Sequence, residues 1–307
     1  MKREKIIVGK GTDYPLKGLL TLPSSNAGKV PAVVLVHGSG ASNMDERVYK
    51  LTPFKDLADG LAKQGIASVR YNKRTFVYGW KMRKLTPSVW DETVEDAIRA
   101  TDLLKRDPRI DPDRVFIIGH SMGAMLAPRI DAEGGNYRGL ILMAGAPGRL
   151  EEIIIRQLKQ AGQSKGSIMR AIVRLEDRIF SKKFTGLYDL TDEEAKKKKF
   201  AGNVTLYYFK EMGKKTAVDF LKESEKPVLI MQGGKDFQAL PSEDFAGFQE
   251  QLQGRKNVEY RLYENLNHLF VTGIYNDILK ARKEYKVEQR IAPEVIDDIA
   301  DFIKRSL

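Results

Sequence analysis

The segment Gly119-His-Ser121-Met-Gly123 follows directly on the apolar run Val115-Phe-Ile-Ile118 and precedes a helix-forming stretch. A serine between two glycines at that junction must sit on a sharp, strained turn between strand and helix. The small residues at 119 and 123 let neighbouring backbone approach, and the turn lifts the Ser121 hydroxyl clear of the sheet. Behind it lies a helix N-terminus, whose free N–H groups and partial positive charge suit a developing oxyanion. The chemistry implied is nucleophilic attack by Ser121. A serine hydroxyl needs a base for that, and His268, in Asn265-Leu-Asn-His268-Leu-Phe, is the candidate. The base needs a carboxylate to orient it and to stabilise its imidazolium form. Asp236 in Gly233-Gly-Lys-Asp236 is expected to supply it, whereas Glu243 and Asp244 fall inside the following helix and should point away.

Two N–H donors are needed for the oxyanion. One is expected from Met122, next to the nucleophile, and the other from His37-Gly38-Ser39-Gly40, with Ser39 preferred and Gly40 the alternative. Gly38 and Gly40 would let substrate approach the backbone closely, which makes them candidate substrate-binding residues. The same loop is not a G-x-G-x-x-G phosphate loop. Gly213-Lys-Lys-Thr216 is not a Walker A motif either, because Tyr208 stands where its first glycine belongs. His37, His120 and His268 are the only histidines, and each follows a predicted strand. All three should therefore lie along the carboxyl edge of one sheet, where α/β proteins bind ligands. His120 is expected to face inward as a structural residue. With no cysteine and no H-x-x-x-H helix, no metal site is expected.

Strands and helices must alternate to position these residues. Lys5–Val8, Leu16–Leu22, Pro31–Val36, Ile66–Tyr71, Val115–Ile118, Leu140–Ala144, Val228–Gln232 and Val258–Tyr263 read as strands. Several are continuous apolar runs, as expected of strands buried on both faces of a parallel sheet. Lys50–Gln64, residues 91–106, a segment from near Met122, Pro241–Leu252 and Pro293–Arg305 read as helices. The rhythm predicts an α/β fold with a mostly parallel sheet and helices on both faces. It breaks at 149–226, where Glu151–Gln160, Ile168–Phe180 and Asp192–Phe200 look helical. That stretch is expected to be a helical cap, with residues 1–148 and 227–307 forming the core domain. Its aliphatic and aromatic residues (Ile153, Ile154, Phe180, Phe184, Tyr188, Tyr207, Tyr208, Phe209) are expected chiefly to pack the cap onto the core, with an acyl pocket as the second reading.

At 307 residues the chain is long enough to bury a substantial core. Apolar runs such as Pro31–Val36 are far shorter than the roughly 20 residues of a membrane span. The charged start Met1-Lys-Arg-Glu-Lys and the absence of cysteine fit a cytoplasmic protein. The net charge is +11, and 149–226 holds 18 lysines and arginines against 12 acids. A solvated basic surface is the favoured reading, and tolerance of an anionic substrate is a second expectation. No nucleic-acid motif accompanies the charge.

The chain resembles the α/β-hydrolase superfamily. The likeness rests on Val33–Gly40, Tyr71-Asn-Lys-Arg74, Asp113–Gly123, Leu229–Asp236 and Asn267-His268. The order Ser121, Asp236, His268 is also that of the superfamily's catalytic residues. It is most similar to bacterial serine esterases of the dienelactone-hydrolase-like and prolyl-oligopeptidase-like branch. The resemblance implies an α/β-hydrolase fold and hydrolysis of carboxylic esters of short to medium acyl chain through an acyl-enzyme, with no cofactor. The partner implied is a small-molecule ester, with neither nucleic acid nor membrane, and a homodimer is compatible with it. A serine aminopeptidase or acyl-peptidase on the same three residues is the alternative, followed by a non-catalytic ligand-binding protein. Two departures stand out. Asn72 replaces the aspartate of many relatives, and without cysteine the chain lacks the nucleophile of true dienelactone hydrolases.

Overall fold

Every residue of Val30–Val36 is buried, and its side chains divide between two apolar layers. Val34 and Val36 join one layer, Val33 and Leu35 the other. That division is the period-2 alternation of a strand covered on both faces. The same split recurs in Phe116 and Ile118 against Ile117, and in Ile141 and Met143 against Leu142. A computed structural model describes residues 1–24, 28–82, 84–162, 179–275 and 280–306. Within it an eight-stranded sheet is built from β1 (Lys2–Val8), β2 (Leu16–Leu22), β3 (Val30–Val36), β4 (Ala67–Tyr71), β5 (Ile110–His120), β6 (Leu140–Met143), β9 (Val228–Gly233) and β10 (Val258–Tyr263). The remaining two strands, β7 (Lys199–Ala201) and β8 (Val204–Thr205), form a separate hairpin.

The order across the large sheet is β1-β2-β4-β3-β5-β6-β9-β10. β1 and β2, and β2 and β4, run antiparallel, and every other neighbour is parallel. The expected parallel α/β architecture is thus present, with an antiparallel edge. β3 lies between β4 and β5, so the chain winds outward in opposite directions from it. Crevices at the carboxyl ends of strands at such a switch point are where α/β sheets bind ligands. β3 leads into His37-Gly38-Ser39, and β5 ends in His120 beside Ser121.

One face is covered by α1 (Pro53–Lys63), which buries Phe54, Leu57 and Leu61, and by the helix Pro293–Arg305, which buries Val295, Ile299, Phe302 and Ile303. Each such side chain contributes about 1.5–3 kcal/mol by leaving water. On the other face pack α3 (Glu95–Arg106) and α4 (Met122–Ile130), joined by helices between β6 and β9. These include α5 (Leu150–Gly162), α6 (Asp192–Lys197), α7 (Leu206–Gly213) and α8 (Ala217–Lys222). Leu206, Phe209 and Met212 share a core cluster with the sheet.

Some elements differ from expectation. The helical reading of Asp192–Phe200 ends early, because Lys198 turns extended and Gly202, at φ 57°, allows the β7–β8 turn. Ile168–Phe180 lies outside the described residues except for its last two. β5 begins at Ile110 rather than Val115 and passes through Pro112. The helix α2 (Arg74–Met82), with a break at Tyr78, was not foreseen. Among the described residues, no helix is long and apolar enough to cross a membrane.

Candidate active site

Ser121 occupies the turn from β5 into α4 with φ 55° and ψ −119°. That backbone region is costly for a residue with a side chain and persists only where the surroundings impose it. Here the Ser121 N–H donates to the Met143 carbonyl at 2.8 Å, and the Ser121 carbonyl accepts from Ala124 N–H at 2.9 Å. The flanking glycines are required by space. A Cβ on Gly119 would lie 2.2 Å from the Gly123 carbonyl oxygen, and one on Gly123 would lie 2.2 Å from that of Val36. Met122 opens α4, so its N–H belongs to the first turn, whose donors have no helical acceptor.

His268 follows β10 in a turn braced by Asn267, whose side-chain oxygen accepts from Leu269 N–H at 2.9 Å. The His268 Nδ1–H donates to Asp236 Oδ2 at 2.7 Å, and both residues are buried. Asp236 is itself held from three directions. Its Oδ1 accepts the N–H groups of Gln238 at 2.7 Å and Ala239 at 3.0 Å, and its Oδ2 accepts Gln232 Nε2–H at 2.9 Å. A carboxylate so held stays where the ring needs it. Asp244 is engaged elsewhere, by Arg156 of α5 and the Leu240 N–H, and Glu243 also meets Arg156.

Ser121, His268, Gly38, Ser39, Gly40 and Met122 all border one cavity of about 850 Å³. Asp236 sits behind His268, outside its lining. Gly38 approaches the nucleophile closely, since a Cβ there would be 3.1 Å from Ser121 Cβ. Its N–H is committed to Glu46 Oε1 at 2.8 Å. Gly40, at φ 84°, is exposed. The aromatic and aliphatic residues between β6 and β9 divide. Ile153, Ile154, Tyr208 and Phe209 border the cavity, while Phe180 and Phe184 stack with Phe200. Among the described residues, no lysine of that stretch borders the cavity. Lys210 and Lys214 are engaged locally, both with Asp192.

The other two histidines frame the site. His37 Nε2–H donates to the Tyr71 carbonyl at 2.6 Å. Burial lowers its pKa, against the pull of Glu46, so the ring is held neutral. His120 Nε2–H donates to the His268 carbonyl at 2.9 Å. Burial opposes charge on His120 too, but the Glu46 carboxylate, 3.1 Å from Nδ1, with the His268 carbonyl and Asp236 offsets it and the pKa is raised. Asn72 does not touch the cavity. Its side-chain oxygen accepts the Met44 N–H at 2.8 Å and secures the loop after β3.

Sequence reasoning missed Glu46, Lys73 and Glu92, which are all buried beside the site. Lys73, in Tyr71-Asn-Lys-Arg74, donates to the Gly38 carbonyl at 2.8 Å and pairs with Glu92 Oε1 at 2.7 Å. The one available signal was that lysine and arginine follow a buried strand with only Asn72 between. Among the described residues, no cluster of histidine, aspartate or glutamate could hold a metal ion.

A strained serine at a strand-to-helix junction, on a mostly parallel sheet with helices on both faces, defines an α/β-hydrolase fold. Residues 33–272 match the model of the alpha/beta hydrolase family, and the chain belongs to that family. Among named relatives, it is 36% identical over 288 residues to the esterase EstD of Thermotoga maritima. That match takes in 94% of this chain but only 65% of EstD. In fold the chain is similar to Est1E from Butyrivibrio proteoclasticus, with a TM-score of 0.60, 17% identity and 98% of each chain covered. It is also similar to an acylaminoacyl peptidase from Pyrococcus horikoshii, with a TM-score of 0.60 and 13% identity, over 100% of this chain and 42% of the other.

Proposed function

We propose that the protein is a serine hydrolase that cleaves carboxylic esters through an acyl-enzyme on Ser121, with His268 and Asp236 completing a triad. The observation that carries the reading is the buried 2.7 Å hydrogen bond from His268 Nδ1–H to Asp236, which leaves the other ring nitrogen for a cavity shared with Ser121. The name of EstD supports the choice of an ester substrate.

In the proposed reaction His268 Nε2 takes the Ser121 proton as Oγ attacks the ester carbonyl. The N–H groups of Met122 and Ser39 receive the oxyanion. Asp236 stabilises the imidazolium, which then gives its proton to the leaving alcohol. Water, activated by His268, cleaves the acyl-serine. Residues 149–226 act as a cap, and Ile153, Ile154 and Phe209 contact the acyl chain.

The test is hydrolysis of p-nitrophenyl esters from acetate to octanoate, with Ser121→Ala alongside and fluorophosphonate labelling of both proteins. Turnover and labelling that disappear in Ser121→Ala are expected. Undiminished turnover in that variant overturns the reading. Acyl-peptide p-nitroanilides in the same assay decide the peptidase alternative.

A further inference from the structure

We infer that Tyr208, Glu92 and Lys73 form a positioning relay that ties the seating of residues 149–226 to the peptide that stabilises the oxyanion. The inference rests on the serine-hydrolase reading and specifies how that site is set.

The relay is continuous. The Tyr208 hydroxyl, on α7, donates to Glu92 Oε2 at 2.6 Å. Glu92 Oε1 pairs with Lys73 Nζ at 2.7 Å, and Lys73 Nζ donates to the Gly38 carbonyl at 2.8 Å. The Tyr208 hydroxyl also lies 3.4 Å from Met122 Sδ. One end of the relay belongs to the insertion between β6 and β9. The other ends on the peptide that carries the Ser39 N–H, and Tyr208 itself touches Met122, so the relay reaches both residues proposed as oxyanion donors.

The geometry of the peptide unit gives the last link its force. The Gly38 carbonyl and the Ser39 N–H belong to one planar group and point to opposite sides of it. Fixing the carbonyl therefore fixes the direction of the N–H. Glu46 holds the preceding N–H, that of Gly38, at 2.8 Å, so this stretch of loop is gripped on both sides. A cation on the carbonyl also polarises the peptide and strengthens its N–H as a donor.

The energetics point the same way. Lys73 is 2% exposed, Glu92 8% and Tyr208 7%. A buried ion pair costs desolvation that its attraction seldom repays, and an apolar replacement is often no less stable. This pair ends on a peptide at the cavity wall, where orientation matters. Glu92 reaches it from the π turn Trp90–Val94, a local widening of the helix that precedes α3. Burial, reinforced by Glu92, raises the Tyr208 pKa well above its ordinary value, so the phenol remains a donor.

The experiment compares kcat, KM and the affinity for a trifluoromethyl ketone, whose adduct carries the oxyanion, in wild type, Tyr208→Phe, Lys73→Met and the double variant. A lost oxyanion donor costs roughly 100- to 1,000-fold in kcat. A donor misdirected in Lys73→Met is expected to cost about 10- to 100-fold, with KM within about twofold and ketone affinity falling in parallel. Tyr208→Phe keeps the ring and is expected to lose about 3- to 10-fold, with no further loss in the double variant. Lys73→Arg is expected to recover part of kcat. Unchanged kcat in Tyr208→Phe, or losses that multiply in the double variant, would overturn the relay. If Lys73→Met does not fold, Tyr208→Phe and the ketone titration still decide. Ser121→Ala separates the two levels, since its full turnover would sink the hydrolase reading itself, whereas its inactivity beside an unaffected Tyr208→Phe would sink the relay alone.

Discussion

Glu46 and His120 form a buried ion pair beneath the nucleophile turn, with Glu46 Oε2 3.1 Å from His120 Nδ1. The contact is one of charge, since the ring N–H is not aligned on the oxygen. Glu46 also takes a positive φ of 50° to reach it while accepting the Gly38 N–H. One carboxylate thus joins the loop after β3 to the residue beside Ser121. Through the His120 hydrogen bond to the His268 carbonyl it reaches the proposed base as well.

The pair makes stability depend on pH in a definite sense. The His120 pKa is raised above 6.5: burial opposes the charge, but Glu46 together with the His268 carbonyl and Asp236 more than offsets it. Its contribution is fully present below 6.5 and is lost as pH rises through the elevated value. The Glu46 pKa is lowered below 4.5: burial again opposes, and His120, His37 and the Gly38 N–H together prevail. Its contribution is present above 4.5 and fades as pH falls through the depressed value. Glu46→Gln should therefore cost most between these limits, on the order of 3 kcal/mol. Thermal unfolding of both proteins at pH 5.5 and pH 9 checks it. A destabilisation of equal size at both would show that the charge pair is not its source.

Asp236 is gripped by Gln232, Gln238 and Ala239 as well as by His268. Asp236→Asn should leave the fold in place while presenting an amide that can hold the wrong imidazole tautomer. The expected loss is about 10,000-fold in kcat. Thermal unfolding within a few degrees of wild type would show the effect to be chemical. A loss of under tenfold would mean that another carboxylate serves His268, and Glu46 would be the first to examine.

Gly123 illustrates what the sequence made legible. Its role follows from three residues and a strand-to-helix junction, all local, and a Cβ there would meet the Val36 and His37 carbonyl oxygens at 2.2 and 2.7 Å. Backbone atoms cannot rotate aside, so Gly123→Ala should cost about 3 kcal/mol or more and displace β3 from α4. Chemical denaturation measures this, and a midpoint unchanged from wild type would mean that the turn opens freely. The buried strands were legible for a similar reason, since unbroken apolar runs such as Val33–Val36 have few other places to go. Glu46 was not. It is the second of two adjacent acids in a loop, Asp45-Glu46, and its partner His120 is brought to it only by the parallel pairing of β3 with β5. Lys73 and Glu92 were hidden likewise, because a charge run gives no sign of being buried until the fold closes over it.

Trp80 was illegible for the opposite reason. Helix α2 carries Phe76, Val77 and Trp80 at helical spacing yet buries only Arg74 and Met82, so its apolar residues do not report on a packed core. Phe76 and Trp80 are 52% and 63% exposed, and both border the cavity. Apolar rings at the mouth have surface left to bury against a long acyl chain, at about 25 cal/mol per Å². Trp80→Ser should therefore raise KM for the octanoate ester about tenfold, leave the acetate ester within about twofold and change kcat little for either. Binding of a non-hydrolysable octanoyl ketone should also shift Trp80 emission to shorter wavelength. Trp90, the other tryptophan, lies in the π turn and provides the unshifted background in Trp80→Phe. Equal effects on both esters would leave Trp80 outside the path of the acyl chain.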